Sequence, residues 1–134
     1  MDCLPLHQSP CTWHIRTSHD NRFAIAVASG KRVGIDVEKI SERAFKSADL
    51  YMSEDEKALV QDSSLDEMGA ALRIWSIKEA VSKALNTSLA DSWNRVRVKD
   101  IGSHESSIAI DNKGDYPVFH HTIDHHLFTI IEMP

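Results

Sequence analysis

The longest helical pattern in the chain runs from Leu65 to Leu85, and the remaining segments must pack around it. Ile74, Ile77, Val81, Ala84 and Leu85 recur at i, i+3 and i+4 spacing and form one apolar stripe. Asn86 is a natural stop. Glu79 and Lys83, four apart, stand nearly opposite the stripe. Spacing alone reads them as a solvated helical ion pair worth about 0.3–0.5 kcal/mol. The strongest strand signal is Val33-Gly34-Ile35-Asp36-Val37-Glu38, where apolar and polar residues alternate with period 2, as in a half-buried strand. Val33, Ile35 and Val37 face one way; Gly34, Asp36 and Glu38 face the other. Asp36 and Glu38 then lie ~7 Å apart along the backbone, within reach of one shared hard cation. The same pattern also fits an ordinary polar outer face. Gly34 leaves that face bare, so a ligand could approach the backbone there.

Upstream, residues 1–11, with Pro5 and Pro10, read as an irregular lead-in, and Thr12–Thr17 as a short strand. Phe23–Ala28 is a run of small apolar residues suited to a strand covered on both faces. Ser29-Gly30-Lys31-Arg32 makes a tight turn, which predicts an antiparallel hairpin between that strand and the Asp36 strand. Ser41–Leu50 reads as a short helix or loop with Ser41 as N-cap. Ser53 and Glu56 form a capping box that opens a helix running through Val60 to a break at residues 61–64. Beyond Asn86 the pattern predicts strands at Trp93–Val98, Ser106–Ile110, Pro117–Ile123 and Leu127–Ile131. Turn chemistry at Ile101-Gly102 and Asp111–Asp115 separates them. The expected fold is α+β, an antiparallel sheet packed against a long helix, in a single domain over residues 1–134.

A net charge of −5 gives no general electrostatic support to a nucleic-acid role. No apolar run approaches bilayer length, so no membrane partner is expected. Met1–Leu6 lacks the basic start and apolar core of a secretory signal, and Cys3 and Cys11 read as free thiols of a reducing, cytoplasmic setting. His120, His121, His125 and His126 cluster near the end. Adjacent strand residues face opposite ways, so neither His-His pair can chelate a metal from one face, and a surface or oligomer contact is the expected role.

Three blocks, in order, carry a resemblance. Thr17-Ser18-His19-Asp20-Asn21-Arg22-Phe23, Gly34-Ile35-Asp36-Val37-Glu38 and Trp75-Ser76-Ile77-Lys78-Glu79-Ala80-Val81-Ser82-Lys83 together resemble the 4′-phosphopantetheinyl transferase superfamily. The likeness is to the second half of its surfactin-synthetase-activating branch, while the single-domain length is like that of the holo-acyl-carrier-protein synthases. It covers residues 15–85 best. Met52 stands where the family usually has Phe.

The resemblance implies that a serine hydroxyl of an acyl or peptidyl carrier protein attacks the β-phosphate of coenzyme A. This transfers 4′-phosphopantetheine and releases 3′,5′-ADP. Asp36, Glu38 and Glu79 would hold magnesium, for which oxygen ligands are suited. Glu79 would help remove the serine proton, directly or through a water, and Lys83 would steady phosphate oxygens. Ser18 and His19 would contact coenzyme A, His19 near its 3′-phosphate, and Asp36 would also lie at that substrate. Trp75 is expected as a packing residue. Arg43, Lys46, Arg73 and Lys78 are candidates for a basic patch facing an acidic carrier protein. The chain resembles only one of two similar halves, so a homo-oligomer is expected, a dimer first and a trimer second. The alternative is a non-catalytic relative that binds coenzyme A or a carrier protein, or half of a larger assembly.

Overall fold

The computed structural model describes residues 13–133. Cys3, Cys11, the lead-in and Thr12 lie outside the described residues. In chain order the elements are β1 (His14–His19), β2 (Ala24–Ser29), β3 (Arg32–Lys39), α1 (Arg43–Lys46), α2 (Ala48–Tyr51), α3 (Glu54–Asp62), α4 (Glu67–Leu85), α5 (Leu89–Arg95), β4 (Val96–Asp100), β5 (Glu105–Ile110), β6 (Lys113–Ile123) and β7 (His126–Met133). β1 and β2 form a two-stranded sheet; the other five strands form an antiparallel sheet in the order β3-β7-β6-β5-β4. Helix α4 lies across β3 and β7. Its Ile74, Ile77 and Val81 are sealed against Ile108, Val118, Leu127 and Ile131 of the sheet. This is the α+β arrangement that the patterning predicts. Among the described residues no helix is long and apolar enough to cross a membrane.

Local chemistry fixes the helix ends. Ser53 Oγ accepts the Glu56 N–H at 3.1 Å, and Glu56 Oε1 accepts the Ser53 N–H at 2.9 Å, completing the capping box of α3. Helix α4 starts after Asp66, whose carboxylate accepts the Gly69 N–H at 2.6 Å, slightly later than the Leu65 start predicted. It stops at Asn86, left-handed at φ 55°. There the Thr87 N–H bonds Ser82 O at 3.0 Å and the Asn86 N–H bonds Lys83 O at 3.2 Å, the paired closure of a Schellman motif. The β5–β6 hairpin turns on Asp111 (φ 52°) and Asn112 (φ 62°), and the β6–β7 hairpin on Asp124 (φ 49°) and His125 (φ 59°). Two consecutive left-handed residues give the primed turn that matches strand twist.

The structure corrects several expectations. The predicted hairpin between Phe23–Ala28 and the Asp36 strand does not form: β2 pairs with β1 and β3 pairs with β7. Strand β3 is buried from Val33 to Val37, and long apolar β7 covers its edge better than the alanines of β2 can. Nor is β2 covered on both faces, since Ala24, Ala26 and Ala28 are exposed. Residues 93–95 are helical rather than extended, because Ser88 Oγ accepts the Asp91 N–H at 3.2 Å and caps α5. Strand β6 begins at Lys113, before the predicted Pro117. The segment after Ser41 holds two single-turn helices, and the N-cap of α1 is Glu42 rather than Ser41. His120 and His126 are each 5% exposed, so the expected surface role fails for both: His126 Nε2 lies 2.7 Å from Asp20 Oδ2 and its ring meets Phe23 edge-on.

Candidate active site

The site is built where β3 passes under α4. A Cβ placed on Gly34 would fall 1.8 Å from the carbonyl oxygen of Ala80. The bare face of the strand is therefore filled by the helix backbone, not by a ligand as the sequence suggested. Asp36, on the same face, is driven under the preceding turns of α4 and is 3% exposed. Its Oδ2 accepts a hydrogen bond from Ser76 Oγ at 2.8 Å, and Lys83 Nζ lies 3.7 Å from its Oδ1.

Lys83 is not the solvated partner of Glu79 that helical spacing suggests. It is half-buried and donates to Ile35 O at 3.0 Å, with its own carbonyl accepting from Arg16 Nε at 2.6 Å. The strand and the helix thus meet through one ammonium. Asp36, Glu38 and Glu79 then stand within one another's fields. Burial, the Asp36 charge, a hydrogen bond shared with Asp36 and the Glu79 charge push Glu38 up to about 9. Burial and the Asp36 charge also raise Glu79, against the pull of Lys83, and burial raises Asp36 itself.

Ser18 and His19 end β1 beside the free edge of β3. Ser18 is buried, and its Oγ accepts the Val37 N–H at 3.1 Å, so it ties β1 to β3. His19 is exposed and stands in the wall of a cleft of about 520 Å³ with Glu38, Lys39, Arg43 and Trp75. Of the three carboxylates, Glu38 alone lines this cleft. Trp75 packs edge-on against Tyr51 at 5.1 Å and is also part of the cleft wall.

Among the described residues no three His, Cys, Asp or Glu side chains already close around one point as a finished metal cage would. Asp36 and Glu79 stand near one ammonium and Glu38 stands beside both carboxyls, an acidic grouping that a divalent cation would offset.

The basic patch expected from Arg43, Lys46, Arg73 and Lys78 does not exist as a set. Arg43 and Lys46 are exposed, but Arg73 donates to Gly69 O and Ser103 O inside the fold. Lys78 is 1% exposed and donates to Glu56 Oε1 at 2.7 Å and to Tyr51 O at 2.6 Å. The sequence offered only a weak signal for this, a lysine directly after the apolar-stripe residue Ile77, and its partner Glu56 is distant along the chain. Ser76 and Thr129 carry no role in the sequence reading, and His120 is expected there at the surface; the period-2 alternation that turns Val118 inward turns His120 inward with it.

The profile of the 4′-phosphopantetheinyl transferase superfamily matches residues 32–131, which span β3 through most of β7. A "4′-phosphopantetheinyl transferase" of Bacillus subtilis is 30% identical over 115 residues, covering 83% of this chain and 50% of that protein. A "4′-phosphopantetheinyl transferase gsp" of Aneurinibacillus migulanus is 30% identical over 77 residues, covering 57% of this chain and 32% of that protein. The chain thus spans half or less of the length of these relatives. With a family match across most of its length and the motif carboxylates gathered at one strand–helix crossing, the chain belongs to the 4′-phosphopantetheinyl transferase superfamily.

Proposed function

We propose that the chain transfers 4′-phosphopantetheine from coenzyme A to a serine of an acyl or peptidyl carrier protein, releasing 3′,5′-ADP. The observation that carries this is the meeting of Asp36, Glu38 and Glu79 from two elements beside a cleft holding His19, Lys39 and Arg43. Asp36, Glu38 and Glu79 would hold magnesium, which when bound offsets pyrophosphate charge and eases departure of the leaving group. His19, with Lys39 and Arg43, gives the cleft donors suited to the phosphates of coenzyme A. Lys83, fixed by Ile35 O, keeps a positive charge at the junction and stabilises phosphate oxygens. Glu79, whose proton affinity is raised by burial, accepts the proton of the attacking serine. Ser18 serves the site through the backbone of Val37.

The carrier protein's own surface and the rest of the coenzyme would be bounded by a second copy of the chain, in a dimer before a trimer. Exposed Trp13 (47%) and Ile15 (62%), at the start of β1 and away from its cleft-lining His19, supply an apolar face for it. Light scattering on purified protein tests this; a monomer with full transfer activity overturns it. The expected location is the cytoplasm, where coenzyme A and carrier proteins meet.

The decisive experiment is mass spectrometry of several apo-carrier proteins after incubation with coenzyme A and magnesium. A serine gaining 4′-phosphopantetheine supports the proposal. A binding-only relative would hold coenzyme A and modify none of them, and Glu79→Gln would then change nothing.

A further inference from the structure

Strand register places Asp36, Thr129 and His120 in one row across β3, β7 and β6, since Asp36 pairs with Thr129 and Thr129 with His120. Ser76 of α4 closes the row from above. Ser76 Oγ lies 2.8 Å from Asp36 Oδ2 and 2.8 Å from Thr129 Oγ1. His120 Nδ1 lies 2.9 Å from Thr129 Oγ1, and His120 Nε2 lies 2.8 Å from Ser106 Oγ, which accepts the Gly102 N–H at 3.4 Å. Ser76 and Thr129 are 0% exposed, Ser106 2% and His120 5%, so bulk water cannot supply a substitute partner.

We propose that His120 is a positioning residue for the cation-binding carboxylate: as the neutral ring with its proton on Nδ1, it orients a one-way chain of hydrogen bonds through Thr129 and Ser76 that fixes Asp36. This rests on the cation site assigned above. The direction follows from proton counting, because each hydroxyl has a single proton and a carboxylate only accepts. Ser76 must donate to Asp36, so it accepts from Thr129. Thr129 has then spent its proton and must accept from His120 Nδ1. That leaves Nε2 bare, to accept from Ser106, whose oxygen takes the Gly102 N–H. Reversing any one member reverses all of them.

The charges around the ring keep it neutral. Arg73 faces it from α4, and His104 meets it from the loop before β5, whose carbonyl accepts the His120 N–H at 2.8 Å. Burial, then Arg73, then His104 push the ring down to about 3. Side-chain partners of this kind orient metal ligands elsewhere, and removing one costs about 10–100-fold in metal affinity.

Two measurements on the full chain test the proposal. A long-range 1H–15N correlation spectrum at neutral pH, with the His120 signals assigned by their loss in His120→Asn, reads the tautomer directly. The proton on Nδ1 supports the proposal; a proton on Nε2 overturns it. Calorimetric titration with Mn2+ then compares the native chain with Thr129→Val and Thr129→Ser, with far-ultraviolet circular dichroism confirming folding. Thr129→Val should weaken Mn2+ binding about tenfold, and Thr129→Ser should restore it. If Thr129→Val fails to fold, His120→Asn, which keeps a donor at the Nδ1 position, replaces Thr129→Ser, and His120→Leu replaces Thr129→Val. Native chain that binds Mn2+ no better than its valine or leucine variant overturns the positioning role alone. Native chain that takes up no Mn2+ overturns the cation site and the positioning role with it.

Discussion

Lys78 and Glu79 are neighbours on α4, yet they belong to opposite kinds of electrostatic site. Around Lys78 every charge is answered: Glu56 Oε1 takes Lys78 Nζ and the Ser53 N–H, and Glu56 Oε2 takes the Val98 N–H at 2.9 Å. That cluster joins α3, α4 and β4 and is closed to solvent. Around Glu79 carboxyls crowd together: Asp36 and Glu79 stand near the ammonium of Lys83, and Glu38, beside both carboxyls, lines an open cleft. A buried ion pair whose hydrogen bonds are all made holds architecture in place. An unbalanced acidic cluster is a cost in stability that marks a binding site.

The sharpest break of this contrast comes from exchanging one member of each cluster. Glu79→Gln should lower transfer by about 10²–10⁴-fold, read by carrier-protein mass spectrometry, because a proton acceptor is lost. Its urea midpoint should not fall, since Glu79 has a raised proton affinity and ionising it opposes folding at neutral pH. Lys78→Met should do the reverse, losing about 3–5 kcal/mol in urea unfolding by leaving Glu56 buried and unpaired. A Lys78→Met chain as stable as the parent would erase the distinction. Gly34→Ala comes next: overpacking against Ala80 O should cost about 1–3 kcal/mol and reduce transfer through displacement of α4. Acid supplies a graded effect, the smallest when taken per pH unit. The His120 ring is held near 3 when folded and titrates near 6.5 when unfolded, so both states are neutral above 6.5. Between those values only the unfolded chain takes the proton, and stability should fall by up to about 1.4 kcal/mol per pH unit. His120→Asn should remove that slope; a slope unchanged in this variant assigns acid sensitivity elsewhere.

Much of this was legible in residue order because it is local. The strand at Val33–Glu38, the capping box at Ser53 and the stop at Asn86 depend on neighbours a few positions away and each forms where expected, although the strand is buried on both faces through Val37 rather than half-buried. What the sequence hid is set across the fold. Gly34 announces a missing side chain but not that Ala80 occupies the space. Glu56 shows its capping role, while its second oxygen and Lys78 meet only after β4 docks. The Ser29–Arg32 turn is equally compatible with a hairpin and with a change of sheet, and the burial of β3 by β7 decides between them. The site residues were named by their motif, and their mutual charge was not readable until β3 and α4 crossed.

The contact between Gly34 and the Ala80 carbonyl has a bearing on how such a chain can be altered. A position with no side chain, which offers nothing to coenzyme or carrier, governs how far apart the strand and helix stand, and so the reach of every acidic group they bear. Tolerance to change in this molecule should be judged by thickness at that junction as much as by identity within the cleft.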